Sequence, residues 1–213
     1  MIFGSISYLN LLPFQLFLKQ YLQNNSAKIS FRYKRAVPTH INASLQRGEI
    51  NAAFISSIHS PKFRCTDLGI IANKNVYSVL LLPQAPADDP ASATSNQLAK
   101  LLNLNGKVLI GDAALKYYLE GGEAIDLAEE WHKKHHLPFV FARLCYNKHE
   151  EYIKKLSKNF ARKKTKIPQY LLKKEALKRG ITPKELTWYL SHIHYNMDWK
   201  SKRGLKKFLK LYR

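Results

Sequence analysis

The sequence has few of the features that mark membrane, secreted or zinc-binding proteins. No run approaches the roughly 20 apolar residues of a membrane-spanning helix, and the first residues read as a core strand instead of a signal peptide with a charged start. The only two cysteines, Cys65 and Cys145, are too few for a disulfide framework or a thiolate zinc site. These absences favour a cytoplasmic protein that does not span a membrane.

Acidic residues are also scarce, since 15 of them face 35 lysines and arginines and leave a formal net charge of +20. Residues 148–213 contain 20 of the basic residues and five of the acidic ones. Such a charge attracts anions without selecting one. Because the basic segment reads as amphipathic helices with lysines on the outer face, we interpret it mainly as a solvated surface and expect no specific nucleic-acid partner.

Common catalytic motifs are missing as well. The sequence has no glycine-rich phosphate loop, no nucleophile elbow and no helical zinc-protease motif. His132, His135 and His136 lie at helical spacing, which could present imidazoles to a metal ion, but no cysteine or paired carboxylate completes a ligand set. We therefore expect neither a metal nor a cofactor.

A polar strand end near the start of the chain is the first candidate site. Residues 2–6 form a short apolar strand, Ser7, Tyr8 and Asn10 follow it, and a helix is predicted over residues 11–22. Ligands of open α/β sheets bind where strands end and helices begin. Ser7 and Asn10 are therefore candidate site residues, with simple capping of the helix as the alternative.

Other polar groups follow predicted strands or precede predicted helices. A hydroxyl or carboxylate in such a place either binds a ligand or caps the helix, and both interpretations stay open on local sequence. With two residues inside predicted strands, Ser78 and Phe139, the candidate substrate-binding residues are Ser7, Ser56, Ser57, Ser78, Ser92, Thr94, Ser95, Asp112 and Phe139.

The order of predicted elements indicates an α/β protein with two lobes. Strands are predicted at residues 29–33, 50–55, 68–72, 77–82, 107–110 and 139–144, and helices at 39–47, 96–102, 113–119 and 126–136. Residues 84–90 are rich in proline, alanine and aspartate and read as a linker. We predict one lobe from residues 1–83 and 138–213, with a helical C-terminus, and a small second lobe from residues 84–137. In the C-terminal part, Ile153, Leu156 and Phe160 share one face of a predicted helix, and residues 182–185 (Thr-Pro-Lys-Glu) form a predicted capping box.

Five blocks of sequence, in order over most of residues 4–144, resemble the chorismate dehydratase family. They are Ser-Tyr-Leu-Asn at 7–10, the segment 37–57, Gly-Asp-Ala-Ala-Leu at 111–115, Asp-Leu-Ala-Glu-Glu-Trp at 126–131 and Leu-Pro-Phe-Val-Phe-Ala at 137–142. The family begins the futalosine route to menaquinone. The resemblance implies a clamshell of the type II periplasmic-binding-protein fold that works in the cytoplasm, with Asn10 as candidate catalytic residue.

The implied reaction is the elimination of water from chorismate, a dicarboxylate, to give 3-[(1-carboxyvinyl)oxy]benzoate. This sequence departs from the family pattern at two points. The span from residue 83 to residue 111 is short, and Ala93 stands where the family usually has arginine in a Ser-Arg-Thr-Ser run. The alternative is a cytosolic protein that binds a small carboxylate without changing it, and its sequence would look almost the same. The sequence does not indicate an oligomeric state.

Overall fold

The computed structural model describes residues 1–23, 31–163 and 165–212. Its strands are β1 (Ile2–Ser5), β2 (Arg32–Arg35), β3 (Ala52–Ser56), β4 (Arg64–Ala72), β5 (Val79–Leu82), β6 (Lys107–Ile110), β7 (Ile125–Asp126), β8 (Phe139–Tyr146) and β9 (His194–Asn196). Its helices are α1 (Leu12–Gln23), α2 (Pro38–Gln46), α3 (Ala93–Leu101), α4 (Gly111–Leu119), α5 (Leu127–His135), α6 (Glu150–Arg162), α7 (Gln169–Leu177), α8 (Pro183–Ser191) and α9 (Trp199–Tyr212).

The strands form two sheets. A six-stranded sheet has the order β2-β1-β3-β8-β4-β9, with β1 parallel to β2 and β3 and the remaining pairs antiparallel. A three-stranded antiparallel sheet has the order β6-β5-β7. Because β8 returns from the second sheet and inserts between β3 and β4, the chain crosses between the sheets twice. This is the two-lobed α/β arrangement predicted from the sequence.

Strand β3 is buried, and it is apolar up to its last residue, Ser56. All five residues of β3 are buried, as expected for a strand covered on both faces. Its parallel neighbour β1 contains Gly4, where an added Cβ would lie 2.5 Å from Cδ1 of Ile50 and 2.9 Å from Cβ of Ala53. The glycine therefore lets the chain around β3 approach β1 closely.

The C-terminal helices pack on this core through the predicted apolar stripes. Ile153, Leu156 and Phe160 of α6 are buried together. Helix α8 begins with the predicted capping box, in which the Thr182 hydroxyl accepts from the Glu185 amide and the Glu185 carboxylate accepts from the Thr182 amide. Among the described residues, no helix is long and apolar enough to cross a membrane.

Two expectations from the sequence need adjustment around β2 and β5. Strand β2 begins at Arg32, and residues 29 and 30 of the predicted strand lie outside the described residues. Strand β5 pairs with β6 and β7, although the predicted boundary after residue 83 assigned it to the first lobe. We keep the two-lobe division as a proposal and assign β5 to the second lobe.

The two cysteines are joined in a disulfide, which the sequence did not lead us to expect. Cys65 of β4 and Cys145 of β8 lie directly opposite each other in the antiparallel register, 80 residues apart in the chain. Strand pairing that forms only in the folded protein brings them together, so their distant positions in the sequence gave no signal. The cross-link ties β8 to β4 within the large sheet.

Candidate functional site

A cleft lies between the two sheets and holds about 610 Å³ of non-protein space, including its open mouth. Most of its lining is apolar. The lining residues are Ile6, Tyr8, Asn10, Leu11, Pro38, Phe54, Ser56, Ile70, Val76, Ser78, Val79, Ser92, Ser95, Ile110, Gly111, Phe141 and Ala142.

Three serines of the cleft each accept a hydrogen bond from a protein donor. Asn42 Nδ2 donates to Ser56 Oγ at 3.0 Å, the Tyr189 hydroxyl donates to Ser78 Oγ at 2.8 Å, and Ser92 Oγ donates to Ser95 Oγ at 2.7 Å. A hydroxyl that accepts in this way keeps its own hydrogen free to donate. The cleft therefore presents three hydroxyl donors, which suit a ligand rich in acceptor oxygens.

Helix starts add further donors to the cleft. Helices α2, α3 and α4 begin there, with Pro38, Ser92 and Gly111 in the lining. The first N–H groups of a helix lack partners within it, and the helix dipole is positive at that end. None of the described residues that line the cleft is charged. The site can therefore attract carboxylates through hydroxyls and helix starts alone, without a side-chain cation.

Asn10 lies in the short 3₁₀ turn Leu9–Leu11 that follows β1. The Tyr195 hydroxyl donates to its backbone carbonyl at 2.7 Å. The turn is also held by the amide of Leu9, which donates to Oδ1 of Asp112 at 2.9 Å. Groups from β9 and α4 thus fix the backbone that carries Asn10 into the cleft.

Tyr8 and Gly111 meet across the cleft. Gly111 has a positive φ of 72°, and an added Cβ would lie 2.7 Å from Cε1 of Tyr8. The Gly111 amide donates to the Ser78 carbonyl at 2.8 Å. Burial raises the pKa of the Tyr8 phenol to about 12, and the charges of Asp89 and Asp112 act in the same direction. The Tyr8 hydroxyl is therefore neutral at physiological pH and can donate or accept.

Asp126 fixes the segment that leads into β5, where Val76 and Ser78 line the cleft. Its Oδ2 accepts from the amides of Val76 and Tyr77 at 2.8 and 2.7 Å, and its Oδ1 caps α5. Burial raises the pKa of the Asp126 carboxyl, while these backbone N–H groups act in the opposite direction. Asp126 is a structural anchor of the cleft wall and is not exposed to a ligand there.

The structure brings five of the predicted site residues into the cleft lining: Asn10, Ser56, Ser78, Ser92 and Ser95. They come from the turn after β1, the end of β3, the start of β5 and the start of α3. The strand-end and helix-start patterns in the sequence pointed to Asn10, Ser56, Ser92 and Ser95, whereas Ser78 was a candidate inside a predicted strand. Their roles toward a ligand stay predictions.

Two predicted hydroxyl residues lie beside the cleft without lining it. Thr94 Oγ1 accepts from the Ile58 amide at 3.2 Å, which ties α3 to the turn after β3. Ser57 is fully buried, and its Oγ has no hydrogen-bond partner among the described residues. Both side chains face the protein interior, so we no longer place either in contact with a ligand.

Three further predicted residues have other partners. Ser7 is exposed, and its carbonyl accepts from Arg179 Nη2 at 2.8 Å. Asp112 accepts from Leu9 and from Arg179 and so has a structural role. Phe139 is 1% exposed and packs on Trp131 in the core; Phe141, two residues further along β8, lines the cleft instead.

Sequence reasoning missed several residues that build the site: Tyr8, Asn42, Phe141, Arg179, Tyr189 and Tyr195. Tyr8, Asn42 and Phe141 lie inside blocks that were already singled out, at 7–10, 37–57 and 137–142, so a signal existed for all three. Tyr189 and Tyr195 lie in the C-terminal segment, which the sequence marked only by its charge. No cluster of histidine, cysteine, aspartate or glutamate that could hold a metal ion occurs in the part of the chain that the structure describes.

Solved structures with the same fold include periplasmic binding proteins. A protein from Archaeoglobus fulgidus superposes with a TM-score of 0.68 at 13% identity, over 99% of this chain and 95% of that one. The periplasmic aliphatic sulphonate-binding protein SsuA from Escherichia coli gives a TM-score of 0.57 at 12% identity, over 100% of this chain and 86% of that one. At these identities the likeness shows the fold, which is the predicted periplasmic-binding-protein-like clamshell.

Sequence relatives identify the family. The model of the family described as menaquinone biosynthesis matches residues 1–107 and 93–213. A chorismate dehydratase from Campylobacter jejuni subsp. jejuni is 46% identical, over 99% of this chain and 96% of that protein. A chorismate dehydratase from Thermus thermophilus is 27% identical, over 97% and 93%. The chain therefore belongs to the menaquinone biosynthesis family, and its relatives include chorismate dehydratases.

Proposed function

We propose that the protein is a carbon–oxygen lyase that eliminates water from chorismate to give 3-[(1-carboxyvinyl)oxy]benzoate. The main support is the full-length, 46% identical relative that is named for this reaction. The structural observation that best supports the proposal is the set of three cleft serines, Ser56, Ser78 and Ser95, whose hydroxyls accept from protein donors and so keep their own hydrogens for a ligand. We also propose that the protein acts in the cytoplasm, as the family resemblance implies.

The cleft suits a dianion that carries its own acceptor atoms. Chorismate has two carboxylates, and Ser56, Ser78 and Ser95 provide hydroxyl donors at separate points of the lining. The start of α3, next to Ser92 and Ser95, adds backbone N–H donors. The family arginine that Ala93 replaces is thus not required for carboxylate binding in this cleft.

The elimination breaks one carbon–hydrogen and one carbon–oxygen bond of the ring. The electrons of the C–H bond enter the ring, which becomes aromatic, and the hydroxyl leaves with its bonding pair and takes up a proton to give water. Because aromatisation makes the step strongly downhill, the protein mainly has to orient the substrate. We propose that Asn10 orients the leaving hydroxyl and that a carboxylate of the substrate takes the ring proton.

The test is incubation of the purified protein with chorismate, followed by chromatography of the products. The proposal expects 3-[(1-carboxyvinyl)oxy]benzoate to form in proportion to the protein concentration. The second candidate function is binding without reaction, which the fold shared with solute-binding proteins supports. Saturable chorismate binding in calorimetry with no product above the spontaneous background would favour that candidate and overturn the lyase.

A further inference from the structure

The outer face of helix α9 carries basic side chains that have almost no acidic partners. The 14 residues of α9 include six lysines and arginines and no acidic residue, and all six basic side chains are exposed. Among the described residues, only Lys202 of the six forms an ion pair, with Asp67 at 2.7 Å. By contrast, Lys133 of α5 and Lys154 of α6 each pair with a glutamate of their own helix. The charge on α9 is therefore largely uncompensated.

Five of these basic residues line one groove together with the tryptophan that begins the helix. They are Trp199, Lys200, Arg203, Lys206, Lys207 and Lys210. The opposite wall comes from the end of α5 and the residues after it, and no acidic residue lines the described part of the groove. Burial lowers the pKa of His135 in that wall, and the charges of Lys207 and Lys134 act in the same direction. The groove therefore has a positive potential.

Two large apolar side chains are exposed on the same side of α9. Trp199 is 60% exposed, and the charged groups of Arg203 and Lys200 lie 5.3 and 5.8 Å from the centre of its ring. Leu211 is 46% exposed and follows Lys207 by four residues, so both lie on one side of the helix. The basic residues thus lie between an exposed tryptophan and an exposed leucine.

We propose that this outer face of α9 docks the protein on an anionic membrane surface. Lysine and arginine are attracted to anionic phospholipid headgroups, and tryptophan suits the level of the headgroups, where its ring is partly apolar and its N–H stays wet. Leu205 and Phe208 hold the opposite face of α9 in the protein core. Docking therefore needs no unfolding, and the protein would lie on the membrane without spanning it.

The exposed side chains favour lipid over nucleic acid as the anionic partner. Grooves for single-stranded nucleic acid combine cations with several aromatic side chains on which successive bases stack. Trp199 is the only tryptophan, tyrosine or phenylalanine among the described residues of this groove. Leu211 offers nothing to a phosphate but gains by leaving water for lipid. It lies about 18 Å along the helix axis from Trp199, so a flat surface can contact both ends of the basic stripe.

The first test is cosedimentation with vesicles at physiological salt, without chorismate. Wild-type protein should bind vesicles made of equal parts phosphatidylglycerol and phosphatidylcholine, and should not bind vesicles of phosphatidylcholine alone. The triple variant Lys206→Gln/Lys207→Gln/Lys210→Gln should bind about 100-fold more weakly, because each lysine near an anionic surface strengthens binding about fivefold. No binding of the wild type to the anionic vesicles would overturn the proposal.

A matched control loses the same three charges elsewhere. Lys19→Gln/Lys174→Gln/Lys178→Gln changes lysines of a different groove, which lies between α1 and α7. This variant should bind the anionic vesicles nearly as well as the wild type. An equal loss in the two triple variants would show that net charge alone attracts the protein, and would overturn docking through α9. Thermal unfolding shows that each variant is folded in the assay.

Tryptophan fluorescence tests which face meets the lipid. In a Trp188→Phe background the remaining tryptophans are Trp131, which is fully buried, and Trp199. Anionic vesicles should shift the emission to shorter wavelength, and a further Trp199→Phe change should abolish the shift. Vesicle binding without a shift would contradict contact through α9.

The competing partner is tested with duplex DNA at the same salt concentration. DNA binding that the α9 triple variant weakens, in a protein that does not bind anionic vesicles, would assign the face to nucleic acid and overturn the membrane proposal. None of these measurements uses chorismate, so their outcome is independent of the proposed lyase activity.

Discussion

Arg179 Nε donates to Oδ2 of Asp112 at 2.9 Å, and this ion pair joins the end of α7 to the start of α4. The other oxygen of Asp112 accepts from the Leu9 amide, and Arg179 Nη2 donates to the Ser7 carbonyl. One guanidinium and one carboxylate thus hold the turn of Asn10 against the second lobe. The sequence predicted that Asp112 binds the substrate. In the structure Asp112 instead holds the turn of Asn10, the residue that we propose contacts the substrate.

Asp112→Asn should lower the free energy of unfolding by about 1–3 kcal/mol, because the neutral amide has one acceptor oxygen for the two donors, Leu9 and Arg179, and loses the charge of the ion pair. The matched control is Asp88→Asn, which breaks the ion pair between Asp88 and Lys100. The side chains of this pair are 56% and 61% exposed. Such surface pairs contribute about 0–1 kcal/mol. Urea denaturation measures both variants, and an equal loss in the two would contradict the structural role of Asp112.

Gly111→Ala should destabilise the protein and disturb the cleft. A side chain at positive φ costs about 1–2 kcal/mol, and the new Cβ would also lie 2.7 Å from the Tyr8 ring. Gly121→Ala is the control, because Gly121 has φ of 80° and no atom within 4 Å of an added Cβ. We expect a larger loss of stability for Gly111→Ala, together with reduced chorismate turnover. Identical stability and activity of the two variants would refute the contact with Tyr8.

The Tyr8 phenol should make stability depend on pH in the alkaline range. Its folded-state pKa is raised from 10.0 to about 12. The contribution of the neutral phenol to the free energy of unfolding is therefore complete below pH 10 and is lost as the pH rises toward about 12. In this window the unfolded chain ionises Tyr8 while the folded protein does not. Urea denaturation between pH 9 and pH 12 should show a shallower fall for Tyr8→Phe than for wild type. Parallel curves would contradict the burial of this hydroxyl.

Local patterns predicted most helices and strands, because hydrophobic periodicity and helix caps are each encoded by a few neighbouring residues. The capping box at Thr182 and Glu185 and the buried strand β3 were found in this way. The polar ends of β1 and β3 likewise pointed to Asn10 and Ser56, since strand ends of one sheet meet at one edge.

Contacts between distant segments could not be predicted from such patterns. Tyr189 and Ser78 are 111 residues apart, and Arg179 and Ser7 are 172 apart. The cross-link of Cys65 and Cys145 depends in the same way on the register of β4 and β8. Along β8, the sequence alone did not show that Phe141 would line the cleft while Phe139 enters the core.

The most direct test of the account is chorismate conversion by the wild type and by Asn10→Ala, measured side by side with the product identified. We predict that the wild type forms 3-[(1-carboxyvinyl)oxy]benzoate and that Asn10→Ala, although folded, loses most of kcat, by roughly 10²-fold or more. Asn10 lies in a turn and not in the core, so the variant should keep the wild-type unfolding midpoint within a few degrees. No product from the wild type, or a folded Asn10→Ala variant with the wild-type rate, would contradict the account.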